Sequence, residues 1–131
     1  MEIAINYINS LDLSYLSERL VNKHQWELKD AEDSVRRYKN CLILLVKYPG
    51  TAFIPTPDID EVWHAHILHT KEYLRDSKEI FGRFLHHDPV TTKTTDERKQ
   101  EMNHNYIKLA QLYEREFHEL YPQYLDFSTF Y

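Results

Sequence analysis

Glycine is almost absent from this chain, and its scarcity limits the available folds more than any other feature. Only Gly50 and Gly82 occur among the 131 residues. Turn-dense β architectures and phosphate-binding loops both depend on glycine at tight backbone turns, so both are disfavoured. With 42% hydrophobic and 28% charged residues, the composition is typical of a folded globular protein. We therefore expect one helical domain over residues 1–131, close to the usual domain size of about 100–150 residues.

Apolar residues recur at helical spacing in four stretches of the sequence, which predicts an all-α, compact bundle of about four helices. The predicted helices cover about residues 12–24, 28–47, 57–80 and 94–121, and residues 1–10 give no helical signal. Pro49 and Gly50 end the second helix, Thr56 and Pro57 open the third, and Thr94 with Glu97 has the capping-box spacing that opens the fourth. The aromatic C-terminal tail, 123–131, is expected to pack back on the bundle.

The third predicted helix has the widest apolar stripe of the four. It carries Trp63, one of only two tryptophans. We therefore expect this helix at the centre of the bundle, with the fourth helix packed antiparallel against it.

Charge and cysteine content restrict the possible partners and the compartment. A net charge of -5 argues against nucleic-acid binding, which needs clustered basic side chains. The lone Cys41 forms no internal disulfide and fits a reducing compartment. The apolar runs are too short to cross a membrane, and the amino terminus lacks a secretory signal. We expect a cytoplasmic monomer or small homo-oligomer, with a small molecule or a protein as its partner.

Histidines are concentrated between Thr56 and Pro89. Five of the eight lie there, with two aspartates just ahead of them: Asp58, Asp60, His64, His66, His69, His86 and His87. Neutral imidazole and carboxylate are common metal ligands, so this stretch is the natural place for chemistry.

Helix geometry divides these histidines into two groups. Asp60 and His64 are four residues apart and therefore neighbours on one helix surface, where they can share a ligand. His66 points about 200° away from His64 on a straight helix, so it is expected to be buried and hydrogen-bonded to a tyrosine. Trp63 and Tyr73 are expected to line the core or a pocket wall.

Two motifs in this stretch resemble a known family. The string Asp60-Glu-Val-Trp63-His64-Ala-His66 resembles the Asp-x-x-Trp-His-x-His signature of the glycine-rich-domain-containing-protein-like proteins. The segment Phe81-Gly-Arg-Phe-Leu-His-His-Asp-Pro89 is similar to a second motif of their small bacterial relatives. The resemblance covers residues 55–90, and it implies that Asp60, Trp63, His64, Tyr73, His86 and His87 are the positions that fit the family pattern. The family is largely uncharacterised, so the resemblance implies no substrate.

Two functions remain open from the sequence. In the first, Asp60 and His64 on the helix and His86 or His87 from the following loop hold a divalent metal such as zinc or iron, in a 2-His-1-carboxylate arrangement. In the second, the same groups form a structural hydrogen-bond network in a non-catalytic protein-binding or scaffold module.

A straight third helix makes the shared metal site hard to build. From His64 to Phe81 the helix would extend about 25 Å, at about 1.5 Å per residue. The following loop of about seven residues spans at most about 23 Å. A shared site therefore requires either a fully extended loop or a break in the helix near Ser77.

Overall fold

The computed structural model describes residues 1–87 and 95–121. These residues form six α-helices: α1 (Glu2–Ser10), α2 (Ser14–His24), α3 (Leu28–Lys47), α4 (Pro57–Leu68), α5 (Thr70–Phe81) and α6 (Asp96–Phe117). The all-α prediction is confirmed, and the second and third of these helices match the predicted bounds. The count of four was wrong, because α1 was missed and the predicted third helix is two helices. The aromatic tail and Asp88 lie outside the described residues.

The central helix of the fold is α3. It packs against α1, α2, α4 and α6, and its residues Cys41, Leu42, Ile43 and Leu44 are all buried. Four consecutive buried residues point around the full circumference of a helix, so neighbouring segments must cover every side of it. The predicted centre, the helix starting at Pro57, was therefore wrong: its twelve residues form one layer beside α3.

The break between α4 and α5 lies at His69, earlier than the position near Ser77 that a shared site would require. His69 has φ −85° and ψ 73°, which is outside the helical region. Its backbone N–H still donates to the carbonyls of Ala65 and His66, so α4 ends in a tight turn. His69 Nδ1 also donates to the Ala65 carbonyl, at 2.8 Å. The chain changes direction at this residue, and α5 contacts α4.

The first helix closes the other side of α5. Ile8 of α1 is fully buried, and α1 contacts both α3 and α5. Tyr7 donates a hydrogen bond from its hydroxyl to Asp76 Oδ1, at 2.7 Å. The segment that gave no helical signal therefore contributes both core and a polar tie to α5.

The last helix packs on α3, not on α4 as predicted. Across this interface Asn40 donates to the hydroxyl of Tyr113 at 3.2 Å, and Lys47 pairs with Glu116 at 3.1 Å. Its N-cap is Thr95, whose hydroxyl accepts from the backbone of Arg98; the predicted cap, Thr94, lies outside the described residues. Among the helices of the described part, none is both long and apolar enough to span a bilayer.

Candidate metal centre

The first turn of α4 fixes the position of Asp60. Pro57 occupies the first helical positions, where its missing N–H costs nothing. Asp58 accepts hydrogen bonds from Thr56 and, at 3.1 Å, from Ser34 of α3. This contact ties the start of α4 to the central helix. Asp60 and His64 then lie one turn apart on the same helix face, as predicted.

The chain after α5 returns to α4 and carries His87 with it. Gly82 ends α5 with φ 72°, a left-handed conformation that glycine adopts without strain. Tyr73 then anchors the returning segment, because its hydroxyl donates to the carbonyl of Leu85. The same hydroxyl accepts from Trp63 Nε1 at 2.9 Å. One tyrosine therefore joins α4, α5 and the segment 82–87.

Stacking completes the placement of the His87 ring. It lies on Trp63 with ring centroids 4.1 Å apart and an interplanar angle of 27°. Trp63 is in turn stacked on Phe53, at 4.6 Å. The imidazole is thus held between an apolar wall and the polar face of α4, which leaves its Nε2 edge directed at Asp60.

Three potential ligand groups converge at this point. His87 Nε2 lies 2.7 Å from Asp60 Oδ1, His64 Nε2 lies 3.1 Å from Asp60 Oδ2, and the two Nε2 atoms are 3.0 Å apart. The Asp60 and His87 side chains are each 14% exposed, and that of His64 is 44% exposed. The cluster is therefore sheltered on one side and open to solvent on the His64 side.

The short contacts in this cluster require either protons on the imidazole nitrogens or a bound cation between the three groups. A carboxylate and two Nε2 atoms are all acceptors unless a nitrogen is protonated, and acceptor lone pairs at about 3 Å repel one another. Either a shared proton or a metal ion would remove that repulsion. Three ligands at about 2.1 Å from one ion lie about 3.0 Å apart at octahedral angles and about 3.4 Å apart at the tetrahedral angles of zinc, so the three groups would separate slightly to hold zinc.

His86 does not belong to this cluster, although it is adjacent to His87. Its ring contacts Phe84, with centroids 5.0 Å apart, and among the described residues the group able to hold one ion is Asp60, His64 and His87. Of the two loop histidines that the sequence left open, the structure brings His87 to α4. The expected wall residues, Trp63 and Tyr73, lie beside it.

His66 takes part in a separate and fully buried network. Its Nδ1 accepts from the Tyr38 hydroxyl at 2.8 Å, as expected for a buried histidine paired with a tyrosine. Its Nε2 donates to Asp76 Oδ2 at 2.9 Å. The His66 and Asp76 side chains are only 2% and 1% exposed. Both ring nitrogens have partners within the protein, so His66 has no atom left for a ligand.

Asp76, the hydrogen-bond partner of His66, was not predicted from the sequence. Burial by itself raises the pKa of Asp76, but hydrogen bonds from His66, Tyr7 and Arg75 outweigh burial and lower that pKa to about 2. Arg75 donates from Nε at 3.0 Å. A signal existed in the sequence: a buried histidine needs a partner, and Asp76 follows the buried Tyr73 by three residues, the spacing of one helix face.

Comparisons with known proteins place these features in a family. Residues 5–123 match the model of the UCP032817-like family. Glycine-rich domain-containing protein 2 of Arabidopsis thaliana is 32% identical over 72 residues, which are 52% of this chain and 9% of the plant protein. Glycine-rich domain-containing protein 1 of the same plant is 34% identical over 61 residues, which are 44% of this chain and 7% of the plant protein.

These matches confirm the resemblance to the glycine-rich-domain proteins. The chain spans less than a tenth of either plant protein. No solved structure matches the chain significantly. Because the family match extends over nearly all of the six helices, this chain belongs to the UCP032817-like family.

Proposed function

We propose that Asp60, His64 and His87 bind one divalent metal ion and that this ion is the reactive group of the protein. The observation that carries the proposal is the convergence of two imidazole nitrogens and a carboxylate with mutual distances of 2.7, 3.0 and 3.1 Å. Two histidines and one carboxylate are a common ligand set for zinc and for non-haem iron.

The surroundings suit an ion that reacts rather than one that only stabilises the fold. Structural zinc sites are closed by four protein ligands, whereas catalytic sites retain a free position. Here three side chains converge, and the 44% exposed His64 leaves one side of the cluster accessible. An ion at this point would keep coordination positions for water or substrate, and would act there as a Lewis acid or on dioxygen, depending on the metal.

Metal binding can be measured directly on untagged protein. We expect dialysed protein to bind one equivalent of Zn²⁺ or Co²⁺ in calorimetric titrations, and the Co²⁺ form to show visible ligand-field bands. His87→Ala is expected to abolish these bands. His86→Ala is the matched control, since it removes the adjacent loop histidine, and it is expected to keep them.

The alternative function, a metal-free network in a binding or scaffold module, predicts different results. If His64 and His87 simply share a proton with Asp60, neither metal binds with one-to-one stoichiometry. Equal loss of binding in His86→Ala and His87→Ala would also overturn the proposed ligand set. Elemental analysis of the protein as purified, together with Fe²⁺ titration under anaerobic conditions, identifies which ion is preferred.

A further inference from the structure

A cavity of about 560 Å³ lies behind the stacked rings of Trp63 and His87. It is bordered by the end of α3, the connection 49–55, the segment that follows α5 and the first turns of α6. Its volume is within the range of about 300–1,000 Å³ that is usual for small-molecule sites. Most of the residues that line it are apolar, with Phe53, Ile54, Ile80 and Met102 among them.

Among the described residues that line this cavity, the charged side chains all have the same sign. Arg83 and Arg98 line it together with His86 and His87, and no acidic residue from 1–87 or 95–121 does. This is unusual for a chain with 21 acidic and 16 basic residues. In the part of the chain that the structure describes, neither guanidinium pairs with a carboxylate, whereas Arg36, Arg37 and Arg75 all do.

Unpaired arginines beside an apolar cavity are suited to an anionic ligand. A guanidinium binds carboxylate, sulfonate or phosphate oxygens through two parallel hydrogen bonds. Aromatic walls bury the remainder of such a molecule, because apolar area removed from water stabilises the complex.

We propose that this cavity binds a small amphipathic anion, with its aromatic or aliphatic body against Phe53 and Trp63 and its acidic group at Arg83 and Arg98. This binding site does not require a metal ion. His87 borders both the cavity and the metal cluster, so a molecule bound here would lie beside the proposed ion. The extension of this ligand class to the substrate of the metal centre does rest on the proposed function.

A pair of fluorescent probes tests the proposal. The probe 1-anilinonaphthalene-8-sulfonate carries an aromatic body and one negative charge, and N-phenyl-1-naphthylamine has the same body without the charge. A Trp26→Phe background leaves Trp63 as the sole tryptophan. We expect one sulfonate probe per chain, with energy transfer from Trp63, in protein whose near-ultraviolet circular dichroism shows fixed tertiary packing.

Variants that remove the two arginine charges test how much the acidic group of the ligand contributes to affinity, independently of its apolar body. The double variant Arg83→Met, Arg98→Met is expected to weaken the sulfonate probe at least about tenfold and to change the neutral probe by less than about twofold. Arg19→Met, on α2 and away from the cavity, is the matched control and should leave both affinities unchanged. A double variant with unchanged sulfonate affinity would contradict the proposal, as would an equal loss in the control.

The metal centre and the cavity are distinguished by one further variant. His64→Ala removes a proposed metal ligand and does not line the cavity, so it should retain full affinity for the sulfonate probe. Loss of metal binding with probe binding intact supports two separable sites. Failure of the sulfonate probe to bind any folded variant overturns the cavity proposal and leaves the metal proposal to its own titration.

Discussion

The protein contains two histidine–aspartate sites that differ in one decisive respect. In the buried network of His66 and Asp76, every ring nitrogen and carboxylate oxygen has a protein partner. In the cluster of Asp60, His64 and His87, two imidazole nitrogens and one carboxylate meet beside solvent, and the 3.0 Å contact between the two Nε2 atoms is a hydrogen bond only if one of them carries a proton and the other does not. The same side chains are therefore structural in one place and suited to bind a cation in the other, and the balance of donors and acceptors makes the difference.

The largest expected change in stability comes from disrupting the buried site. His66→Ala leaves the Asp76 carboxylate buried with a lost partner, so the free energy of unfolding should fall by about 3 kcal/mol. In metal-free protein, His64→Ala should cost less than about 1 kcal/mol, because exposed pairs contribute little. Urea denaturation followed by circular dichroism measures both. Equal losses would show that the two sites do not differ in this way.

Metal addition should act on the open site alone. At a free concentration about one hundred times the Kd, a bound ion stabilises the folded protein by about 2.7 kcal/mol. We expect Zn²⁺ to raise the Tm of the wild type and of His66→Ala, and a chelator to reverse the change. The Tm of His87→Ala should not respond. A Zn²⁺ response that persists in His87→Ala would contradict the assignment of the open site.

Low pH should remove the stability that the buried site contributes. The pKa of Asp76 is lowered to about 2 in the folded protein, compared with about 3.9 in an unfolded chain. The carboxylate therefore contributes about 2 kcal/mol of stability above pH 4, and this contribution is lost as the pH falls towards 2. Unfolding free energies of wild type and Asp76→Asn, measured between pH 5 and 2, should converge as the pH falls. Parallel curves would show that Asp76 is not the group responsible.

The smallest effect concerns the tyrosine that connects the two regions. Tyr73→Phe removes the acceptor for Trp63 Nε1 and the donor to the Leu85 carbonyl. The loss of a buried hydrogen-bond partner should cost about 1 kcal/mol. Zn²⁺ affinity should also fall, because the segment carrying His87 loses its anchor. Unchanged affinity would show that stacking on Trp63 alone positions the His87 ring.

The sequence predicted the residues of the open cluster better than those of the buried site. Spacing alone paired Asp60 with His64 and separated them from His66, because these positions lie within one regular helix. The break at His69 could not be predicted, since neither proline nor glycine marks it. On a continuous helix over residues 57–80, Leu74 would lie beside Tyr73 on the apolar side, whereas the structure leaves it 43% exposed. The same error concealed Asp76, whose partner His66 would have been about 15 Å away along a straight helix.

The first helix was missed for a related reason. Residues 2–10 carry three isoleucines and a tyrosine, but these do not form one continuous helical stripe, and Ile8 alone among them is fully buried. Short helices are marginal without tertiary contacts, so the helical state of this segment depends on packing against α3 and α5. Tyr7 adds a hydrogen bond whose partner lies 69 positions away, and no local pattern reports such a contact.

The helix break at His69 also has a consequence for folding. His66 and Asp76 are only 10 positions apart, Trp63 and Tyr73 are 10 apart, and Asp60 and His87 are 27 apart. Short loops lose little entropy on closure, and contacts close in sequence form rapidly. The segment from α4 to His87 is therefore expected to assemble early, before α1 and α6 complete the fold. An ion bridging His64 and His87 would close a loop of 23 positions and act as a reversible cross-link within that early unit.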